Sequence, residues 1–228
     1  MIVAAPSEQS IEEIILRRAA QEVEDAMLIN LGIGLPTQLP AFLPAGLDVY
    51  FHSENGFVGM GPPLAGATPD HSVVDAGGRA VTLQPGAACF DSVLSFGLVR
   101  GRHLDLAVLG AFQVGINGDL ANWKIPGKLT PGMGGAMELA QKARKVLVLS
   151  RHNDKFGRAK LVTHCELPLT AAGCVDTLIT ERAVFRRRGQ RLQLSSVHPS
   201  ETAQSVLRSI DADIGMDSPL EPWSTEVL

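Results

Sequence analysis

The run LDLAVLGAFQV, residues 104–114, is apolar almost without interruption. A strand with one wet face alternates apolar and polar residues, whereas a strand covered on both faces does not. The run therefore predicts a strand of a parallel sheet, sandwiched between helical layers. Upstream of it, FDSVLSFGLVRG (90–101) carries Phe90, Val93, Leu94 and Leu98 at helical spacing. Downstream, GMGGAMELAQKARKVLVLSR (132–151) reads as a glycine loop, a helix and a strand in sequence.

The same grammar extends to both ends. SIEEIILRRAAQEVEDAM (10–27) opens with Ser10 as N-cap and Glu13 completing a capping box, and Ile11, Ile14, Ile15, Ala19 and Val23 share one helical face. AMLIN (26–30) is a short strand, and LGIGLPTQLPAFL (31–43) leads through glycines into a helix-like stretch. LDVYFH (47–52) is a strand ending at SENG, and RAVTLQPG (79–86) stops at Pro-Gly. TLITERAVFRR (177–187) and RLQLSSVH (191–198) form a strand pair around Gly189, and PSETAQSVLRSI (199–210) starts a helix near Pro199 and Ser200. Alternating strands and helices predict an α/β fold: a mostly parallel open sheet with helices on both faces. No linker divides the chain, so 1–228 is expected to be one domain, its tail after about Asp211 loose or wrapped on a neighbour.

Composition narrows the function classes. With 45% apolar residues a large core can form, and a net charge of −4 with no long run of one sign disfavours nucleic acid. Arg186, Arg187 and Arg188 read as a solvated strand end. No window approaches the roughly 18 apolar residues of a membrane span. The start MIVAAPSEQS lacks the charged and apolar regions of a signal peptide. Cys89, Cys165 and Cys174 form no CxxC pair, which suits reduced cytoplasmic thiols, and His164 with its cysteine neighbours matches no zinc spacing. No metal is expected.

Three glycine-rich loops follow strand-like runs: NLGIGLP (30–36), SENGFVGMGP (53–62) and GMGGAMEL (132–139). Ligands of open α/β sheets gather at such loops. Neither GxGxxG nor GxxxxGK[ST] is present, so dinucleotide and P-loop readings fail. The residues alone stop at an α/β enzyme with a carboxylate, Glu54, among glycine loops.

SENG (53–56), GMGP (59–62), NLGIGLPT (30–37) and the stretch from GDLANW to ERAVF (118–185) together resemble the B subunit of family I 3-oxoacid CoA-transferases, over about Leu28 to Phe185. The resemblance implies the CoA-transferase fold, with Glu54 as covalent nucleophile. It implies transfer of CoA from a donor such as succinyl-CoA to a short 3-oxo acid such as acetoacetate, through a glutamyl-CoA thioester. It also implies no cofactor beyond coenzyme A as substrate, and a separate A subunit, two copies of each forming the oligomer. A carboxylate is ionised at neutral pH and needs no base, so neither a Ser-His-Asp set nor a metal is required. The developing oxyanions need fixed donors. The resemblance points to amides near Gly32, Ile33 and Gly34 and near Gly134 and Gly135. Gln113 is read as a substrate contact or a satisfied loop amide, and Asn55 as orienting the carboxylate or making the Asn-Gly turn.

Gly78 stands where the family usually carries lysine, and the segment after about Arg186 follows the family weakly. NWKIPGKLTPGMGG (122–135) is similar to the short-chain branch rather than the 3-oxoadipate branch, with Lys124 and Lys128 as its cations. The alternatives are 3-oxoadipate CoA-transfer, a CoA-ester decarboxylase or hydrolase of the same fold, and a ligand-sensing domain. Decarboxylases and hydrolases of the superfamily tend to lack the SENG glutamate, and a sensor would need a basic DNA-binding module.

Overall fold

A computed structural model describes residues 10–61, 72–128 and 132–224. The opening MIVAAPSEQ, Pro62 of GMGP, and Leu129, Thr130 and Pro131 ahead of the third glycine loop lie outside these residues.

The chain builds a nine-stranded sheet whose five central strands are parallel. These are β1 (Leu28–Leu31), β2 (Tyr50–Ser53), β5 (Leu106–Gly110), β8 (Lys145–Leu149) and β10 (Thr177–Ile179). Antiparallel strands complete both sides: β3 (Phe57–Met60) and β4 (Leu83–Cys89) beyond β2, and β11 (Ala183–Arg188) and β12 (Arg191–Val197) beyond β10. The order is β12-β11-β10-β8-β5-β1-β2-β3-β4. A small sheet of β6 (Gln113–Gly115), β7 (Leu120–Ala121) and β9 (Leu161–Val162) packs separately.

Strand β5 explains the apolar run. Leu106 and Val108 face one core with Ile15, Leu16 and Ala19 of helix α1 (Ile11–Ala20). Ala107 and Leu109 face a second core with Leu139 of α3 (Ala136–Lys142), Val99 of α2 (Ser92–Arg100) and Val206 of α4 (Ala203–Leu207). Both faces are dry, so no polar residue is needed along the strand.

Several elements differ from the sequence expectation for local reasons. Ser10 Oγ accepts the Glu13 N–H at 3.1 Å, but the Glu13 carboxylate turns to Arg17 instead of completing the box. The stretch after GIG is a 3-10 helix, Leu35–Phe42, in which Pro36 sits in the first turn and Pro40 removes an interior helical donor. Strand β4 runs through Pro85 and Gly86, which an edge position tolerates. Helix α4 is capped by Thr202, three residues later than the Pro199 signal. The segment 177–187 is itself a hairpin, β10 and β11, ahead of the turn at Gly189.

The tail and the arginines near it depart most from expectation. Arg186 forms a bidentate pair with Glu22 of the α1 end at 2.8 and 2.7 Å, and its Nε donates to Glu221 at 2.9 Å. Arg188 pairs with Asp217 at 2.7 Å. The tail N–H groups of Asp217 and Glu221 bond the carbonyls of Leu194 and Ser195 on β12, so residues 211–224 are docked on their own chain. The arginines are ties for this segment, not a solvated strand end.

Candidate active site

Parallel strands β1 and β2 end side by side, Asn30 opposite His52. The chain passes from β1 to β2 on one side, and later returns to β5 on the other. This reversal opens a crevice at the carboxyl ends of the strands.

Glu54 occupies the turn between β2 and β3. Ser53 pairs with Phe57, and the Gly56 N–H closes the loop on Ser53 O at 3.0 Å. Gly56 has φ 137°, and a Cβ there would lie 2.2 Å from Phe90 O, so only glycine fits. The neighbours of Glu54 tie the turn down. Ser53 Oγ donates to Asn55 Oδ1 at 2.7 Å and accepts the Ala76 N–H at 3.0 Å, while Asn55 Nδ2 donates to Val74 O at 2.8 Å. Asn55 is therefore a tether of the turn and does not touch the carboxylate.

The carboxylate is oriented from β1. Asn30 Nδ2 donates to Glu54 Oε2 at 3.0 Å and also lies 3.1 Å from His52 Nδ1. His52 Nε2 is 2.9 Å from Ser95 Oγ on α2. Burial pushes the His52 imidazole down to about 4, so it is neutral at physiological pH.

Glu54 borders a cavity of about 280 Å³ together with Gly32, Ile33, Gly34 and Arg79. Gly32 donates its N–H to Val108 O at 2.7 Å, which removes that amide as an oxyanion donor. Ile33 and Gly34 (φ 91°) remain in the wall. Gly135, the N-cap of α3, closes on Glu54 from another side: a Cβ there would lie 3.1 Å from Glu54 Cγ and 3.1 Å from Phe96 Cζ. Gly134 beside it has φ 57°, a left-handed turn that delivers Gly135 to the carboxylate.

Gln113 lies elsewhere. It begins β6, and its Oε1 accepts the N–H groups of Glu166 and Leu167 at 2.9 and 3.0 Å, which is the loop-amide alternative. Lys124 folds over its neighbour Trp123, and neither it nor Lys128 borders the cavity. The cation of the cavity wall is Arg79, one residue after Gly78. Gly78 has φ 79° and makes the turn that presents Arg79, with Asp75 holding the guanidinium at 2.8 Å. Lysine at 78 would be strained at this positive φ.

Asn30, His52 and Arg79 are site residues that motif and spacing do not single out. Asn30 and His52 do carry a signal: each is the polar residue that ends a strand-like run of the sequence, AMLIN and LDVYFH. Among the described residues no cluster of three or more His, Cys, Asp or Glu could hold a metal. Burial raises Cys165 to about 11 and Cys174 to about 12, so both are protonated thiols at neutral pH and not nucleophiles. No helix among the described residues is long and apolar enough to cross a membrane.

A family model described as coenzyme A transferase matches residues 13–209. The beta subunit of the acetate CoA-transferase of Escherichia coli K12 is 49% identical over 183 residues, 80% of this chain and 83% of that protein. The B subunit of the succinyl-CoA:3-ketoacid coenzyme A transferase of Helicobacter pylori is 45% identical over 202 residues, 88% of this chain and 97% of that protein. The crystal structure of an acyl-CoA transferase apoenzyme from Escherichia coli O157:H7 superposes with TM-score 0.77 at 20% identity. It covers 99% of this chain, which spans only 45% of that longer one.

Proposed function

Because the chain belongs to the coenzyme A transferase family, we propose that Glu54 is the nucleophile of a CoA transfer that runs through a glutamyl-CoA thioester. The homologues are CoA-transferase B subunits of the acetate and succinyl-CoA:3-ketoacid types. The observation that carries the reading is the placement of Glu54: a carboxylate on a tethered turn, hydrogen-bonded by Asn30, facing a cavity and closed in by Gly135.

The chemistry needs only these parts. A Glu54 oxygen attacks the acyl-CoA carbonyl and expels CoA thiolate, leaving a mixed anhydride. The thiolate attacks Glu54 Cδ and releases the acyl group as a carboxylate, leaving the glutamyl thioester. An incoming carboxylate attacks that thioester and frees the thiolate again. The thiolate then takes the incoming acyl group and restores Glu54 as a carboxylate. Each attack places charge on a carbonyl oxygen, and in this reading backbone N–H groups at Ile33 and Gly34 and at Gly134 and Gly135 meet it.

The acyl substrates are short acids: a succinyl-CoA or acetyl-CoA donor and acetoacetate or a similar acid as acceptor. Coenzyme A is a substrate here, not a resident cofactor. The other half of the enzyme is a separate A subunit, with two copies of each in the oligomer, acting in the cytoplasm. The length relation to the longer acyl-CoA transferase supports a second module of similar size.

The test is trapping. The complex with its A subunit, incubated with succinyl-CoA and reduced with borohydride, is expected to carry the modification on Glu54. The Glu54→Ala complex is expected to lose transfer while its stability changes by less than about 1 kcal/mol, since a half-buried turn carboxylate contributes little packing. A modification mapped to another residue, or retained transfer in Glu54→Ala, rejects the mechanism.

A further inference from the structure

Behind Glu54, three polar side chains are almost fully buried: Asn30 and His52 are 1% exposed and Ser95 is 0% exposed. They bond one another and the carboxylate. Asn30 Nδ2 lies 3.0 Å from Glu54 Oε2, 3.1 Å from His52 Nδ1 and 3.2 Å from His52 O. An amide nitrogen only donates, so His52 Nδ1 is unprotonated. The ring proton is then on Nε2, which donates to Ser95 Oγ at 2.9 Å. Turning the Asn30 amide over would set Oδ1 against the Glu54 carboxylate and the His52 carbonyl, two acceptors. The network thus admits one orientation, with a donor aimed at Oε2. Among the described residues Asn30 Oδ1 is buried and has no hydrogen-bond partner, the cost of committing the amide nitrogen to Oε2.

We propose that Asn30, held in this orientation by His52, is a catalytic residue that polarises the Glu54 carbonyl in the acylated and CoA-bound states; this rests on the reading of Glu54 as nucleophile. Oε2 is occupied by Asn30, so Oε1 is the oxygen that attacks the acyl carbonyl. After that attack Oε2 is the carbonyl oxygen of the anhydride. When CoA thiolate adds to Cδ, the carbonyl electron pair moves onto Oε2. It returns as the bond from Cδ to Oε1 breaks, and the acyl carboxylate leaves with Oε1. The Asn30 N–H faces Oε2 throughout, and its hydrogen bond strengthens as charge builds there. His52 acts through Asn30 and is a positioning residue.

The experiment uses the complex with the A subunit and acetyl-CoA as donor, quenched with borohydride to time formation of the Glu54 adduct. Asn30→Ala is expected to slow the adduct by about 100-fold or more while KM for acetyl-CoA stays within about threefold. His52→Leu keeps the bulk but removes the acceptor, and is expected to slow it about tenfold. His52→Asn places Oδ1 where Nδ1 was and is expected to return to within about threefold of wild type. Should Asn30→Ala not assemble, the His52 pair decides. Adduct formation at the wild-type rate in Asn30→Ala, or equal rates in His52→Leu and His52→Asn, overturns the proposal. A wild-type complex that forms no adduct fails the nucleophile assignment first, and this inference with it.

Discussion

Gly135→Ala tests how tightly the nucleophile is held. Gly135 has φ −79° and ψ −4°, values that alanine adopts without strain. The added Cβ would lie 3.1 Å from Glu54 Cγ, 3.1 Å from Phe96 Cζ and 3.2 Å from Phe96 Cε1. Carbon atoms prefer about 3.5–4.0 Å, so the carboxylate arm and the ring must withdraw by roughly half an ångström. Alanine gains about 0.4–1 kcal/mol by restricting the unfolded chain, and the crowding costs about 1–3 kcal/mol. The net is a destabilisation of between about 0 and 2.6 kcal/mol, read as a lower urea midpoint. Catalysis is far more sensitive, since a misplacement of about 1 Å costs about 100-fold. Half of that displacement predicts a fall in kcat/KM of about tenfold, with the loss in kcat. Both quantities are measured on the complex with the A subunit. Activity within about twofold of wild type would refute the claim that the missing Cβ at position 135 sets the position of Glu54.

Three further outcomes are expected. Burial pushes both His52 and His152 down to about 4, so between about pH 6.5 and 4 the unfolded chain holds more protons than the folded one. Stability is then lost as pH falls through 6.5, by roughly 3 kcal/mol per histidine across the window. A urea midpoint unchanged between about pH 7.5 and 4.5 would contradict this. Arg79→Ala removes the cavity-wall cation and should lower kcat/KM for succinyl-CoA about tenfold relative to acetyl-CoA, a modest figure because the guanidinium is 44% exposed; equal losses for both donors would deny it a role in reading the distal carboxylate. Gly56→Ala drives a Cβ into Phe90 O at 2.2 Å with φ 137°, and should destabilise by more than about 2 kcal/mol, detected by thermal unfolding.

The architecture was legible where burial is two-sided. The runs at 106–110 and 146–149 are apolar because both faces are dry, the run at 28–31 is apolar except for Asn30, and each belongs to a central parallel strand. The edge strands were less visible. Strand β4 is largely exposed and carries Pro85, so periodicity gave no strand signal beyond the Pro-Gly. The small sheet of β6, β7 and β9 uses strands of two or three residues, too short for any pattern. At the site, glycine content located the loops, but which amide is spent on the sheet, as at Gly32, depends on the register of β1 against β5. Gln113 was a reasonable candidate at a strand end; its carbonyl oxygen instead bonds a loop more than fifty residues away in sequence. Val93 and Leu94 fit a helical face yet are 75% and 54% exposed. Spacing alone does not tell an apolar side chain in the core from one on a surface.

The docked tail gives the nine-stranded sheet two unlike ends. At β12, backbone groups of Leu192, Leu194 and Ser195 are taken by Ile116 and by residues 215, 217 and 221 of the same chain. At β4, the described residues leave the outer side of the strand open, with Pro85 interrupting its row of donors. A sheet that presents two free ends can add copies indefinitely and grow into a fibre; a sheet with one end sealed by its own chain can add a single neighbour, end to matching end, about a twofold axis. Continuous strand-to-strand growth is therefore closed to this fold for as long as Arg186 and Arg188 hold the tail in place.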